Sequence, residues 1–357
     1  MQRRCAGLLL VVAVSFALPA AAGAATKTVQ VGPYGAKRKA FEKASGDANA
    51  FFRRVITIHK NDSVRWKING FHTVTFVPKN GSVPALMEPD ASKPITGVND
   101  VAGNPFWFNG LPTVGFNPQA ALPQGGKTFV RTALENSGLP LQGPPRPYKL
   151  KFKKKGTFGY ICLVHPGMAG KVNVVRSARR IPSARSDKRA AARELNATLK
   201  RVQRLSTGLG TEALDKTIQA GNDRRSGAVV YRFFPQNPTY KVGDTVTLQM
   251  APRSTEAHTF TFGPTNGKDA YVDVVAASFA GPASDQRAIY PSEPPPAGIP
   301  SYSGTNHGNG FFNSGILDAH AASPPPTSTK VTFSRPGTFT FICVIHPFMR
   351  NTVTVTP

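Results

Sequence analysis

One pattern is written twice in this chain of 357 residues. Cys162-Leu-Val-His165-Pro-Gly-Met168 returns as Cys343-Val-Ile-His346-Pro-Phe-Met349. Each copy follows a Gly-Thr-Phe run. Each also has an upstream histidine, His72 in His-Thr-Val-Thr-Phe and His258 in His-Thr-Phe-Thr-Phe. Across 156–174 and 337–355, ten of nineteen positions are identical. Self-similarity on this scale implies a tandem duplication, in which each half repeats one structural unit.

The segments around these motifs predict strands. In the first half they are 29–31, 52–58, 63–67, 71–77, 148–153, 157–161 and 171–175, rich in β-branched and aromatic residues. The second half offers 229–234, 245–250, 258–262, 330–333, 338–342 and 352–355. Asn69-Gly70 carries the signal of a tight hairpin just before His72. With 33 Gly and 32 Pro there is little room for long helices. The expected fold is all-β: two tandem Greek-key β-sandwiches joined by a short helical linker. The units span 25–176 and 225–357, with long insertions at 79–147 and 265–329. Phe106-Trp-Phe108-Asn-Gly-Leu111 resembles Phe311-Phe-Asn313-Ser-Gly-Ile316, so the insertions are read as related, and long insertions commonly serve as lids or binding loops.

The linker, 177–224, is basic. Ala192, Leu195, Leu199, Val202 and Leu205 form one apolar stripe at helical spacing, amid Arg189, Arg193, Lys200, Arg201 and Arg204. Gly208 and Gly210 end that helix, and Thr211 can cap a second one through Ala220. Residues 1–24 read as a secretory signal: Arg3-Arg4, an apolar stretch from Leu8 to Leu18, and Ala22-Gly-Ala24 for cleavage. The paired arginines leave Sec and twin-arginine export both open. The mature chain is expected to be periplasmic, in the cell envelope or extracellular, with no transmembrane span.

Without the signal, the cysteines are Cys162 and Cys343. The default for an exported pair is a disulfide. Here each cysteine sits in its own copy of the motif, which favours metal ligation in each unit. Two imidazoles, a thiolate and a weak thioether suit copper cycling between Cu(I) and Cu(II). Zinc prefers more thiolates and no thioether. Pro166 and Pro347 stiffen the turn that brings His and Met back toward Cys.

Both halves resemble the cupredoxins, the plastocyanin/azurin family of blue copper proteins, and the short Cys-x2-His-x2-Met loop resembles the amicyanin type. The resemblance covers the strands and ligands, not the linker or the insertions. It implies two type 1 copper ions, at His72, Cys162, His165, Met168 and at His258, Cys343, His346, Met349. It also implies that His165 and His346 lie at an apolar surface as electron ports.

The expected role is a carrier of single electrons between redox partner proteins. The balance of 44 Lys+Arg against 19 Asp+Glu favours partners with acidic docking surfaces, or an anionic envelope surface, rather than nucleic acid in an exported chain. A copper oxidase or reductase would need further histidines for a type 2 site. Only His59, His307 and His320 remain, no two in one motif. Copper storage would call for many methionines, and Met87 and Met250 stand isolated. An anionic-polymer module with structural copper is the remaining alternative.

Overall fold

The computed structural model describes residues 24–141, 143–209, 214–223, 227–265, 270–279, 284–295, 298–320 and 324–357. The candidate signal, apart from Ala24, lies outside them, as do Gly210 and Thr211. No helix among the described residues is long and apolar enough to cross a membrane.

Strands dominate, in two units built on one plan. In the first, a sheet runs Tyr148–Lys151, Ser63–Ile68, Thr26–Val31, Phe51–Phe52. The facing sheet runs Val55–His59, Ala169–Val175, Gly156–Ile161, Thr75–Phe76, Glu135–Asn136. In the second unit one sheet runs Phe233–Phe234, Thr217–Ala220, Thr245–Met250, Ser328–Phe333, Ser301–Tyr302. The other runs Thr239–Lys241, Arg350–Thr356, Gly337–Ile342, Thr261–Phe262, Phe312–Asn313. Alternation drives the layering. Ile56, Ile58, Val172 and Val174 are buried, while Lys171 points to solvent. Aromatic rings fill the space between sheets: Trp66 meets Tyr160 edge-on at 5.3 Å, and Phe262 stacks on Phe341 at 4.8 Å.

Several expected elements differ. Residues 52–58 are two strands in different sheets, because the chain turns a corner at Arg53, whose φ is 69°. Residues 229–234 divide in the same way, into Ala228–Val230 and Phe233–Phe234. Asn69-Gly70 does not close a hairpin: Ser63–Ile68 pairs with Thr26–Val31, whereas Thr75–Phe76 pairs in the facing sheet, so the turn carries the chain across the sandwich. Thr217–Ala220, expected to end a second linker helix, is a strand parallel to Thr245–Met250. Its buried Ile218 and Ala220 join the second core, and that packing overrides the helical signal.

The long helix Ala184–Ser206 starts at Ser183, whose side chain accepts from the Ser186 N–H. It buries Ala191, Leu195, Leu199 and Val202; Ala191 takes the place expected of Ala192, which faces solvent. Arg189, Arg193, Lys200, Arg201 and Arg204 are exposed. The helix, expected as a linker, packs on both units. Asp187, buried in its first turn, is held by Lys27 at 2.7 Å and Arg53 at 2.8 Å, both from the first unit. Its apolar stripe covers Ala48, Phe52, Ala228 and Val230, from both units.

Those residues belong to a seam. Gly46–Ala48 of the first unit pairs antiparallel with Ala228–Val230 of the second. Close approach needs two glycines. A Cβ on Gly46 would stand 2.2 Å from Val202 Cγ1, and one on Gly227 2.5 Å from the Asn49 carbonyl. The Gly46→Val variant is therefore expected to lose about 1–3 kcal/mol of stability by overpacking, seen as a lowered Tm.

Candidate metal centres

Each centre draws its donors from two places. His72 precedes the short strand Thr75–Phe76, and His258 ends Ala257–His258. Cys162 and Cys343 follow the strands Gly156–Ile161 and Gly337–Ile342. The return of each loop is fixed by backbone hydrogen bonds. The Cys162 N–H donates to the Met168 carbonyl and the Met168 N–H to His165, both at 3.0 Å. Cys343, His346 and Met349 repeat this at 3.0 and 2.8 Å.

Three donor atoms converge in each unit. In the first, His72 Nδ1 and His165 Nδ1 are 3.0 Å apart, and Cys162 Sγ lies 4.0 and 3.5 Å from them. In the second, His258 Nδ1 and His346 Nδ1 are 3.2 Å apart, with Cys343 Sγ 3.6 Å from each. An ion roughly 2.0–2.3 Å from all three atoms fits either triangle. Met168 and Met349 are buried in the same apolar clusters as the cysteines.

The two threonines of each His-Thr-x-Thr-Phe run now have a physical reason. The Thr73 N–H donates to Cys162 Sγ at 3.4 Å, and the Thr259 N–H to Cys343 Sγ at 3.3 Å. The Thr73 hydroxyl accepts from the Leu163 N–H, and Thr259 from Val344. Each hydroxyl also meets the next threonine, Thr75 or Thr261, which donates to Asn136 or Asn313. This chain of bonds locks the cysteine strand to the histidine strand, as supports around a metal site do.

Asn136 and Asn313 also correct the alignment of the insertions. Asn136-Ser-Gly138 and Asn313-Ser-Gly315 are the true counterparts. Ser137 and Ser314 each accept a backbone N–H from the histidine strand, from Val74 and Phe260. A Cβ on Gly138 or Gly315 would meet the nitrogen of Pro123 or Pro291 at 2.7 Å. Phe106-Trp-Phe108 has a different role, because it packs on the second unit. Phe106 and Phe108 share a cluster with Val272, Phe311, Ile342 and Val344, so the first insertion buttresses the strand carrying Cys343. The insertions are clamped together by Trp107 Nε1–H to the Pro291 carbonyl and by His307, 3.2 Å from Asp100 and 3.1 Å from Glu293.

The remaining histidines do not gather. His59 faces the Arg179 carbonyl, His307 sits in that clamp and His320 is exposed. Both cysteines are free and buried.

The loop histidines depart most from expectation. His165 is only 5% exposed, so it is not a surface port. Its Nε2 lies 3.3 Å from Glu256 Oε1, and His346 Nε2 lies 3.7 Å from Glu256 Oε2. Asn49 Nδ2 donates to Oε1 at 2.6 Å, and the Tyr231 hydroxyl does so at 3.1 Å. Beside His346, the ring of Phe348 is 66% exposed. Glu256 was missed because each unit was considered alone. A signal existed: two residues before each upstream histidine stands Gly70 in one copy and Glu256 in the other.

Glu256 divides its influence unequally. Burial opposes its charge, but His165, His346 and the Asn49 amide hold it well below the ordinary carboxylate range. Burial likewise opposes the Cys162 thiolate, yet His165 and His72 together outweigh it and depress that thiol. His165 is raised despite burial, by Glu256 and Cys162. In the second centre burial prevails: it pushes Cys343 up to about 11 and, with the neighbouring His346, His258 down to about 3.

No protein-family model matches the chain, and no curated protein matches it. Solved structures similar to it include auracyanin B, 21% identical with a TM-score of 0.25, over 40% of this chain and 87% of auracyanin. Plastocyanin from Dryopteris crassirhizoma is 19% identical with a TM-score of 0.21, over 39% and 99%. A mutant amicyanin in its reduced Cu(I) form is 18% identical with a TM-score of 0.21, over 44% and 87%.

Close to Glu256, Asp223 is buried, accepting from the Val230 N–H and the Ser254 hydroxyl. Burial raises its pKa from 3.8 to about 7. The native state thus binds the proton more tightly than the unfolded chain. Stability from this group is full below about pH 4 and is lost as pH rises through 7. Asp223→Asn should gain stability relative to the native chain between pH 4 and 8, by up to a few kcal/mol, in denaturant titrations at each pH.

Proposed function

We propose that this is an exported electron carrier with two type 1 copper centres, each held by His, Cys, His and Met. One observation carries the reading: His-Cys-His donors converge in a buried triangle in each unit, at 3.0–4.0 Å separations in the first and 3.2–3.6 Å in the second. His72 and His258 are themselves buried, and the Nδ1 of each faces the triangle.

His72, Cys162, His165 and Met168 would hold one ion, and His258, Cys343, His346 and Met349 the other. Copper, when bound, supplies a one-electron couple. The chain does the rest. The threonine–asparagine locks keep the donors in place whatever the charge at the centre, which lowers the rearrangement that electron transfer requires. The Thr73 and Thr259 N–H groups withdraw electron density from the thiolates, a device that tunes potential. Buried Phe76, Tyr160, Phe260 and Phe341 belong to the apolar cores that also hold the cysteines. Export is supported by residues 1–24 and would place the carrier in the periplasm, envelope or extracellular space. Its exposed basic residues suit redox partners with acidic docking surfaces.

Copper loading followed by visible absorption tests the reading. Intense thiolate-to-copper bands should saturate at two equivalents per chain, with half lost in Cys162→Ser and half in Cys343→Ser. Three tightly bound ions would favour the oxidase or reductase reading, and a colourless loaded protein would sink both. Thr73→Val should weaken the first centre's copper affinity about 10–100-fold in chelator competition and spare the second, with Thr259→Val doing the reverse.

A further inference from the structure

We infer that Glu256 couples the two centres into one redox pair, resting on the copper reading above. The geometry leaves little between them. The imidazole of His165 offers Nδ1 to its own centre and turns Nε2 toward Glu256 Oε1 at 3.3 Å. His346 offers Nδ1 to the other centre and turns Nε2 toward Oε2, 3.7 Å away. One carboxylate thus faces a ligand of one centre and a ligand of the other.

The carboxylate is built to stay there. It is 5% exposed, and Asn49 of the first unit and Tyr231 of the second both donate to Oε1. Behind it, the Glu256 N–H donates to the Ser254 hydroxyl, which donates to Asp223. A rigid negative group facing both imidazoles has two effects. It holds the Nε2–H tautomer of each loop histidine, leaving Nδ1 free to ligate. It also stabilises the more positive state of both centres, because its charge faces each through one ring. Glu256 touches no donor sulfur and is a positioning residue.

The exchange it supports is balanced within the chain. With copper held by His72, Cys162, His165 and Met168 and by His258, Cys343, His346 and Met349, one electron lost at the reduced site would be gained at the oxidised one. No bond forms or breaks and no proton leaves. The interface hides His165, so electrons for the first centre travel through the second unit, whose His346 lies against exposed Phe348.

Flash reduction of the two-copper protein, with one electron added per chain, tests this. Electron exchange between the centres should be first order, with a rate independent of protein concentration. In Glu256→Ala that rate should fall about tenfold or more. In the near-isosteric Glu256→Gln both midpoint potentials should rise together while both sets of blue bands persist, an effect loss of packing alone would not produce. A rate that scales with protein concentration in the native chain overturns the coupling, whatever the variants do. So does an unchanged rate in Glu256→Ala, or a potential shift confined to one centre. A native protein without blue bands overturns the copper reading itself, and the coupling with it.

Discussion

The arrangement depends on a buried carboxylate shared by two imidazoles. Glu256 is drawn out of water by packing between the units, and a lone buried charge is costly. His165, His346, Asn49 and Tyr231 compensate it, and they come from both halves of the chain. The seam and the two donor triangles are therefore one structure. The Gly46–Ala48 pairing with Ala228–Val230 and the helix bound through Asp187 bring the halves close enough for Glu256 to reach both rings.

The same economy of charge runs through the molecule. The chain has only 19 acidic residues against 44 basic ones, yet Asp62, Glu135, Asp187, Asp223 and Glu256 are buried. Each does internal work: Asp187 anchors the helix and Glu135 accepts the Gly126 and Val130 N–H groups. Spending acids inside leaves the surface more positive than composition alone implies.

The donor sets were legible because ligation needs particular atoms at particular spacings, and a duplicated motif repeats them. The sheets were legible from alternation and β-branched runs. Contacts between units were not, since the period of a strand says which face is buried and nothing of what buries it. Thr217–Ala220 read as helix because its strand partner lies across the fold. The insertions were matched on their aromatic residues, whereas the structure matches them on Asn136-Ser-Gly138 and Asn313-Ser-Gly315, whose side chains hold the histidine strands. Glu256 shows the limit most clearly. It stands where the two copies differ, and comparing copies for likeness passes over such a position.

The most direct measurement is the anomalous scattering of crystals of the copper-loaded protein at the copper edge. Two peaks per chain are expected, one inside the triangle of His72, Cys162 and His165 and one inside that of His258, Cys343 and His346, with the Glu256 carboxylate between the two loop histidines. A peak on Glu256 itself, a single peak per chain, or loop histidines turned away from one another would contradict a pair of copper centres joined through that residue.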